Sequence, residues 1–253
     1  MSGEAVCPIC NGTGFRIIER EGVTGADRCT CAAQERARSL EAQAGIPTNY
    51  SGASFDTFRL PDNNPVGRRE LAEVLWLVRT YAREYPVLDK PGLLLIGEPG
   101  TGKTHLAVSA FRAILAKGFE GVFFDYQNLL DCIRASYDEA SKLSNRDAYR
   151  DALEAGVLLL DDLGAHRVTE WTEDIVTSII TYRCNHRKTL IATSNLPDPD
   201  AGSAVIQRNA STGKVDYRAT LADKIGARAR SRLFEMCRVV QMPAVADYRV
   251  RSL

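Results

Sequence analysis

From residue 92 onward, short apolar runs alternate with longer amphipathic stretches. The apolar runs are GLLLIG (92–97), EGVFFDY (120–126), VLLLDDL (157–163), TLIATSN (189–195) and CRVVQM (237–242). Each is short, rich in branched residues and bounded by Gly or polar residues, which predicts buried strands. Between them, helices are expected over 104–118, roughly 127–155, 169–187 and 219–235, with Thr169 as a capping-type start. Upstream, NPVGRRELAEVLWLVRTYAREY (64–85) has apolar residues at 71, 74, 75, 78 and 81, a helical period that Pro86 stops. A shorter helix is expected over 32–45, ended by Gly45, with a loop of spaced aromatics at 46–58. Strands alternating with helices predict an α/β fold, a mainly parallel sheet with helices on both faces.

At 253 residues, 45% hydrophobic and 25% charged, the chain has room for one large α/β domain and a small extra module. Lys+Arg and Asp+Glu balance at 32 each, which neither requires nor excludes a nucleic-acid partner. The first residues lack a basic and apolar leader pattern, and the apolar runs are too short to cross a bilayer. A cytoplasmic location without a membrane partner is expected.

The chemistry is densest at GEPGTGKT, which fits the phosphate-loop pattern GxxxxGK[ST] in full from Gly97 through Glu98, Pro99, Gly100, Thr101, Gly102 and Lys103 to Thr104. Glycines let backbone N–H groups turn toward phosphate oxygens, Lys103 reaches the β- and γ-phosphates, and the Thr104 hydroxyl meets Mg²⁺. A strand before and a helix after are the required context. VLLLDDLG ends a second strand in two acids: Asp161 is expected in the Mg²⁺ shell and Asp162 beside the attacking water. Asn195 ends a third strand. Alone it reads as a turn residue; with the other two motifs it reads as a residue beside the γ-phosphate. In RARSRL (228–233), Arg228 and Arg232 can share a helix face, whereas Arg230 cannot join them. That face is either simply solvated or presents an arginine to a neighbouring subunit's nucleotide. Arg249 follows the last strand and is a candidate for a phosphate in its own subunit. Guanine-specific and LSGGQ-like motifs are absent, which disfavours GTPases and ABC ATPases.

These motifs in this order resemble the DnaC/DnaI-type AAA+ ATPases, loaders of replicative helicases, and the related IstB-type transposition ATPases. The resemblance covers about residues 45–250. It is carried by IP…Y…ASFDTF (46–58), GEPGTGKTHLAVSA (97–110), LLLDDLGA (158–165) with TEW (169–171), TSNLP (193–197), RARSRL (228–233) and the later DYR. It implies a P-loop AAA+ fold with ATP and Mg²⁺ as cofactors. It also implies Walker A over Gly97–Thr104, Walker B at Asp161 and Asp162, sensor 1 at Asn195, an arginine finger at Arg228 with Arg232 as alternative or companion, and sensor 2 at Arg249. A finger acting in trans implies self-association. Single-stranded DNA is the implied partner of the segment around 127–145, where Tyr126, Tyr137, Arg134 and Lys142 suit stacking and phosphate contact; an ordinary amphipathic helix fits the same residues. His166 stands where relatives often carry an acid, and the polar stretch 198–220 is longer than expected, as a mobile loop or partner contact would be.

The seven cysteines are an odd number, with Cys7, Cys10, Cys29 and Cys31 clustered as C-x₂-C-x₁₈-C-x-C. Four soft thiolates in a reducing compartment favour tetrahedral Zn²⁺ over a redox pair, an Fe–S cluster or free thiols, although C-x-C is tight for a second knuckle. The expected organisation is a four-cysteine zinc module that binds the helicase (1–40), a linker and helix (41–90) and the AAA+ ATPase domain (91–253). The function implied is ATP-dependent loading of a DnaB-type replicative helicase onto single-stranded DNA. The alternative is an IstB-like ATPase accessory to transposition, and an adaptor with negligible turnover is a third class.

Overall fold

The computed structural model describes residues 7–20, 23–135, 145–208 and 215–250. Near the N-terminus, β1 (Phe15–Arg20) and β2 (Val23–Arg28) pair antiparallel, and α1 (Thr30–Gln43) follows directly. The hairpin was not expected from the sequence. Its Phe15 and Ile17 are exposed, so burial left no apolar-in, polar-out alternation to read.

Next come α2 (Pro65–Glu84), β3 (Gly92–Ile96), α3 (Lys103–Ala116), β4 (Gly121–Asp125), α4 (Tyr126–Ala135) and α5 (Asn145–Glu154). They are followed by β5 (Val157–Asp161), α6 (Glu170–Asn185) and β6 (Thr189–Ser194). A short hairpin, β7 (Ile206–Arg208) and β8 (Val215–Tyr217), precedes α7 (Leu221–Ile225), α8 (Ala227–Met236) and β9 (Cys237–Gln241). All five expected strands form one parallel sheet in the order β4-β5-β6-β3-β9. The single helix expected over 219–235 is two. Gly226, at φ +83°, breaks it where Glu173 of α6 leaves no room for a Cβ.

Alternate residues of each strand feed two cores. Leu93, Leu95, Leu159 and Ile191 face α2 and α3, whereas Leu94, Ile96, Leu158 and Leu160 face α4 to α8. Leu71, Val74, Val78 and Tyr81 of α2 belong to the first of these cores, so residues 65–84 pack as part of the sheet domain. The helix after the cysteines is also docked: Arg112 of α3 pairs with Glu41 at 2.8 Å, and Phe123 N–H donates to the Ala44 carbonyl at 2.7 Å.

Arg183 of α6 is fully buried. Its guanidinium donates to the carbonyls of Ala152 (2.9 Å), Leu153 (3.2 Å), Ala155 (3.0 Å), Gly156 and Thr189. It therefore caps the end of α5 and ties it to the starts of β5 and β6. Burial pulls its pKa down to about 10, yet the cation remains charged at neutral pH. Arg183→Met would strand those carbonyls in the interior. We expect a loss of about 3 kcal/mol in unfolding free energy, read from denaturant midpoints at unchanged slope.

Candidate nucleotide site

The carboxyl ends of β3, β5 and β6 lie side by side, so the three motifs meet at one edge of the sheet. Lys103 opens α3 and is buried; its ammonium donates to the carbonyls of Gly97 (2.9 Å) and Glu98 (2.8 Å). At its glycines the loop between them leaves no space for a side chain. At Gly100 (φ +75°) a Cβ would fall 2.0 Å from the Asp247 carboxylate, and at Gly102 (φ +93°) 2.6 Å from the Phe58 ring. Thus 46–58 and the segment after β9 both press on the loop, and Tyr248 N–H bonds the Gly100 carbonyl at 3.1 Å.

Thr104 Oγ1 donates to Asp161 Oδ1 at 2.9 Å, and Thr193 Oγ1 donates to the same oxygen at 2.6 Å. Thr193 also accepts the Asp162 N–H at 2.9 Å, locking β5 to β6 just beyond their last paired residues. Asp162 has a left-handed backbone, φ +58°, which turns its carboxylate toward Asn195, whose amide donates to it. Burial raises the Asp161 carboxyl above its usual range, against the hydrogen bonds from Thr193 and Thr104. Burial also raises Asp162, while the nearby Lys103 and Arg249 charges oppose the rise and Asp125 adds to it. Burial lowers Lys103 to about 8 despite the two acids.

A cleft of about 390 Å³ gathers Lys103, Thr104, Asp161, Asp162, Asn195 and Arg249, with Asn49, Tyr50 and Tyr248 on its walls. Pro99, Gly100 and Gly102 line it too. Gly97 and Glu98 instead border a larger hollow of about 710 Å³, and Thr101 turns inward to donate to the Glu98 carbonyl at 2.8 Å. That hollow holds the acids Glu70, Glu73 and Glu98 against one cation, Arg218, itself paired with Glu98. Phosphate therefore suits the smaller cleft. The hydroxyl of Thr104 and the carboxylate of Asp161 form a hard-oxygen pair that fits Mg²⁺. Thr193, Asp125 and Asp247 are site neighbours that motif reading missed; TSN at 193–195 was the available signal for Thr193.

Arg228 and Arg232 do not reach this cleft. Arg228 is exposed and pairs with no described residue, while Arg232 pairs with Glu235 at 2.7 Å. Tyr126, read as a base-stacking candidate, is buried in the second core, and burial raises its phenol to about 12. Arg134 lies over Trp171 at 4.8 Å. Tyr137 and Lys142 fall outside the described residues. The 198–220 stretch contributes Arg218, and His166 bonds only the neighbouring Arg167 carbonyl among the contacts of its ring.

The four clustered thiols lie within 4.8 Å of one another. Cys7–Cys29 and Cys10–Cys31 are 3.8 and 3.3 Å apart, close to the roughly 3.8 Å edge of a tetrahedron with Zn–S bonds of about 2.3 Å. The tight C-x-C spacing works because Cys29 is the N-cap residue of α1 and Cys31 sits in its first turn. Cys10 is lowered to about 6, first by its contact with Cys31 and then, against burial, by backbone N–H groups such as that of Gly14. The donor set fits Zn²⁺.

The sequence profile of IstB-like ATP binding proteins matches residues 78–245. An insertion sequence IS5376 putative ATP-binding protein of Geobacillus stearothermophilus is 26% identical over 80% of this chain and 72% of its own length. Uncharacterized protein YqaM of Bacillus subtilis is 26% identical over 68% of this chain, which spans 55% of that relative. The crystal structure of the DnaC helicase loader superposes with a TM-score of 0.61 and 30% identity, covering 78% of this chain and 100% of that one. No described helix is long and apolar enough to cross a membrane.

Only protonated Lys103 attracts phosphate, and bound phosphate favours its proton. Mg-ATP affinity should therefore be flat from about pH 7 to about pH 8 and fall by roughly tenfold per pH unit above it, as measured by calorimetric titration. Lys103→Ala should bind weakly at every pH and lose that slope.

Proposed function

Since the chain belongs to the DnaC/IstB family of AAA+ ATP-binding proteins, we propose that it is a cytoplasmic ATPase that loads a ring-shaped, DnaB-type replicative helicase onto single-stranded DNA. The observation that carries this choice is the four-cysteine cluster continuous with α1, which is itself bonded to α3, the helix that begins at the phosphate loop. A partner gripped by that module is thereby joined to the nucleotide site.

The chain's own groups support hydrolysis. Loop N–H groups and Lys103 hold the β- and γ-phosphates. Thr104 and Asp161 would hold Mg²⁺, which would supply charge neutralisation at those phosphates. Asp162 accepts a hydrogen bond from the attacking water and Asn195 orients it. Water oxygen bonds to the γ-phosphorus as one of its protons passes to Asp162, the bond to the bridging oxygen breaks, and ADP leaves with that electron pair. Arg249 faces the phosphates from within the subunit, and exposed Arg228, with Arg232 beside it, is the group offered to a neighbour's nucleotide in a self-associated state. ATP then acts as a switch between assembly states.

The second reading, an ATPase accessory to transposition, is favoured by the IstB-like profile and the IS5376 relative. One experiment separates them. The full chain, purified with its metal, is mixed with the host's replicative helicase with and without ATP, beside a Cys10→Ser/Cys29→Ser variant. Loading predicts one zinc per wild-type chain, co-purification of the helicase, and loss of both in a variant that still binds ATP. Absence of helicase together with ATP-dependent binding to duplex DNA supports transposition instead.

A further inference from the structure

The middle arginine of the 228–232 cluster is turned inward. Arg230 Nε donates to Asp198 Oδ2 at 2.8 Å and its Nη2 to Oδ1 at 2.6 Å, while Nη2 also meets Asp200 Oδ2 at 2.6 Å. The Asp198 side chain is 1% exposed. The guanidinium also lies 4.0 Å over the Phe234 ring. A buried carboxylate gripped by both prongs of a guanidinium is a strong, directional link, and breaking it leaves an uncompensated charge.

The link joins two elements with separate tasks. Asp198 lies three residues beyond Asn195, whose amide reaches Asp162. The chain between is fixed on both sides: Leu196 N–H bonds Ser194 Oγ at 3.2 Å, and the Pro197 carbonyl accepts from Leu221 N–H at 3.0 Å. Asp198 also caps its own turn by accepting Asp200 N–H at 3.0 Å. On the other side, helix residues two apart point about 200° apart. With Arg230 turned into Asp198, Arg228 must face away, and it is exposed.

We infer that the Asp198–Arg230 pair is a strut that transmits nucleotide contact at Asn195 to helix α8, fixing the direction in which Arg228 is presented to a second copy of the chain. Arg230 is a positioning residue in this scheme; it touches no nucleotide. The inference rests on the nucleotide reading of the cleft.

Hydrogen exchange by mass spectrometry tests it on the full chain, at a concentration where it sediments as a monomer, with and without Mg²⁺ and a slowly hydrolysed ATP analogue. In the wild type, nucleotide should slow exchange both in peptides over 97–104 and, by about threefold, in peptides over 227–236. Asp198→Asn and the milder Arg230→Lys should keep the first protection and lose the second. At a concentration where the chain self-associates, their kcat should fall about tenfold with KM within twofold. Arg183→Lys, a destabilising change elsewhere in the second core's support, should retain both protections. Retained protection of 227–236 in a folded Asp198→Asn or Arg230→Lys variant overturns the strut, as does equal loss in Arg183→Lys. Absence of protection at 97–104 in the wild type overturns the nucleotide reading, and the strut with it.

Discussion

Two adjacent carboxylates, Asp161 and Asp162, stand at the end of a strand that is buried on both faces. Burial works against the charge on each, so the surroundings must hold them by hydrogen bonds and opposite charge. That requirement organises the site. Thr104 and Thr193 converge on Asp161, Asn195 meets Asp162, and Lys103 lies close enough to influence both acids. Each partner comes from a different element, so the carboxylates tie α3, β5 and β6 into one edge. The lysine meanwhile occupies loop carbonyls where phosphate-binding groups converge. A metal-bound triphosphate would resolve the conflict, bringing a cation to the acids and an anion to the lysine.

The same logic of linked elements extends outward. Arg112–Glu41 joins the cysteine module's helix to α3, and Arg230–Asp198 joins the arginine helix to the turn after β6. Arg218–Glu98 joins the end of the β7–β8 hairpin to the phosphate loop. Ion pairs at a surface contribute little to stability. The first two involve partly or wholly buried groups, and all three connect a peripheral element to one that also carries nucleotide-site residues.

Much of this was legible in the sequence, for identifiable reasons. A parallel sheet covered on both faces needs continuous apolar runs, and all five were visible. The phosphate loop and the paired acids are local signals, and the structure brings them together with Asn195 and Arg249. The illegible parts depend on tertiary partners. The β1–β2 hairpin exposes Phe15 and Ile17, so its pattern carries no burial signal. Tyr126 looks like a stacking residue, but the fold buries it in the second core. The spacing of Arg228, Arg230 and Arg232 showed that one must diverge from the others, but only the buried Asp198 reveals that Arg230 is the one held inside.

ATP hydrolysis at this edge of the sheet is open to direct measurement. The most direct measurement is steady-state phosphate release from Mg-ATP by the wild type and by Asp162→Asn, with ATP binding measured in parallel. Release by the wild type and a loss of about 100-fold or more in Asp162→Asn, with binding retained, are expected. Release equal in the two proteins, or wild-type release no greater than that of Mg-ATP alone in the presence of helicase and DNA, would contradict it.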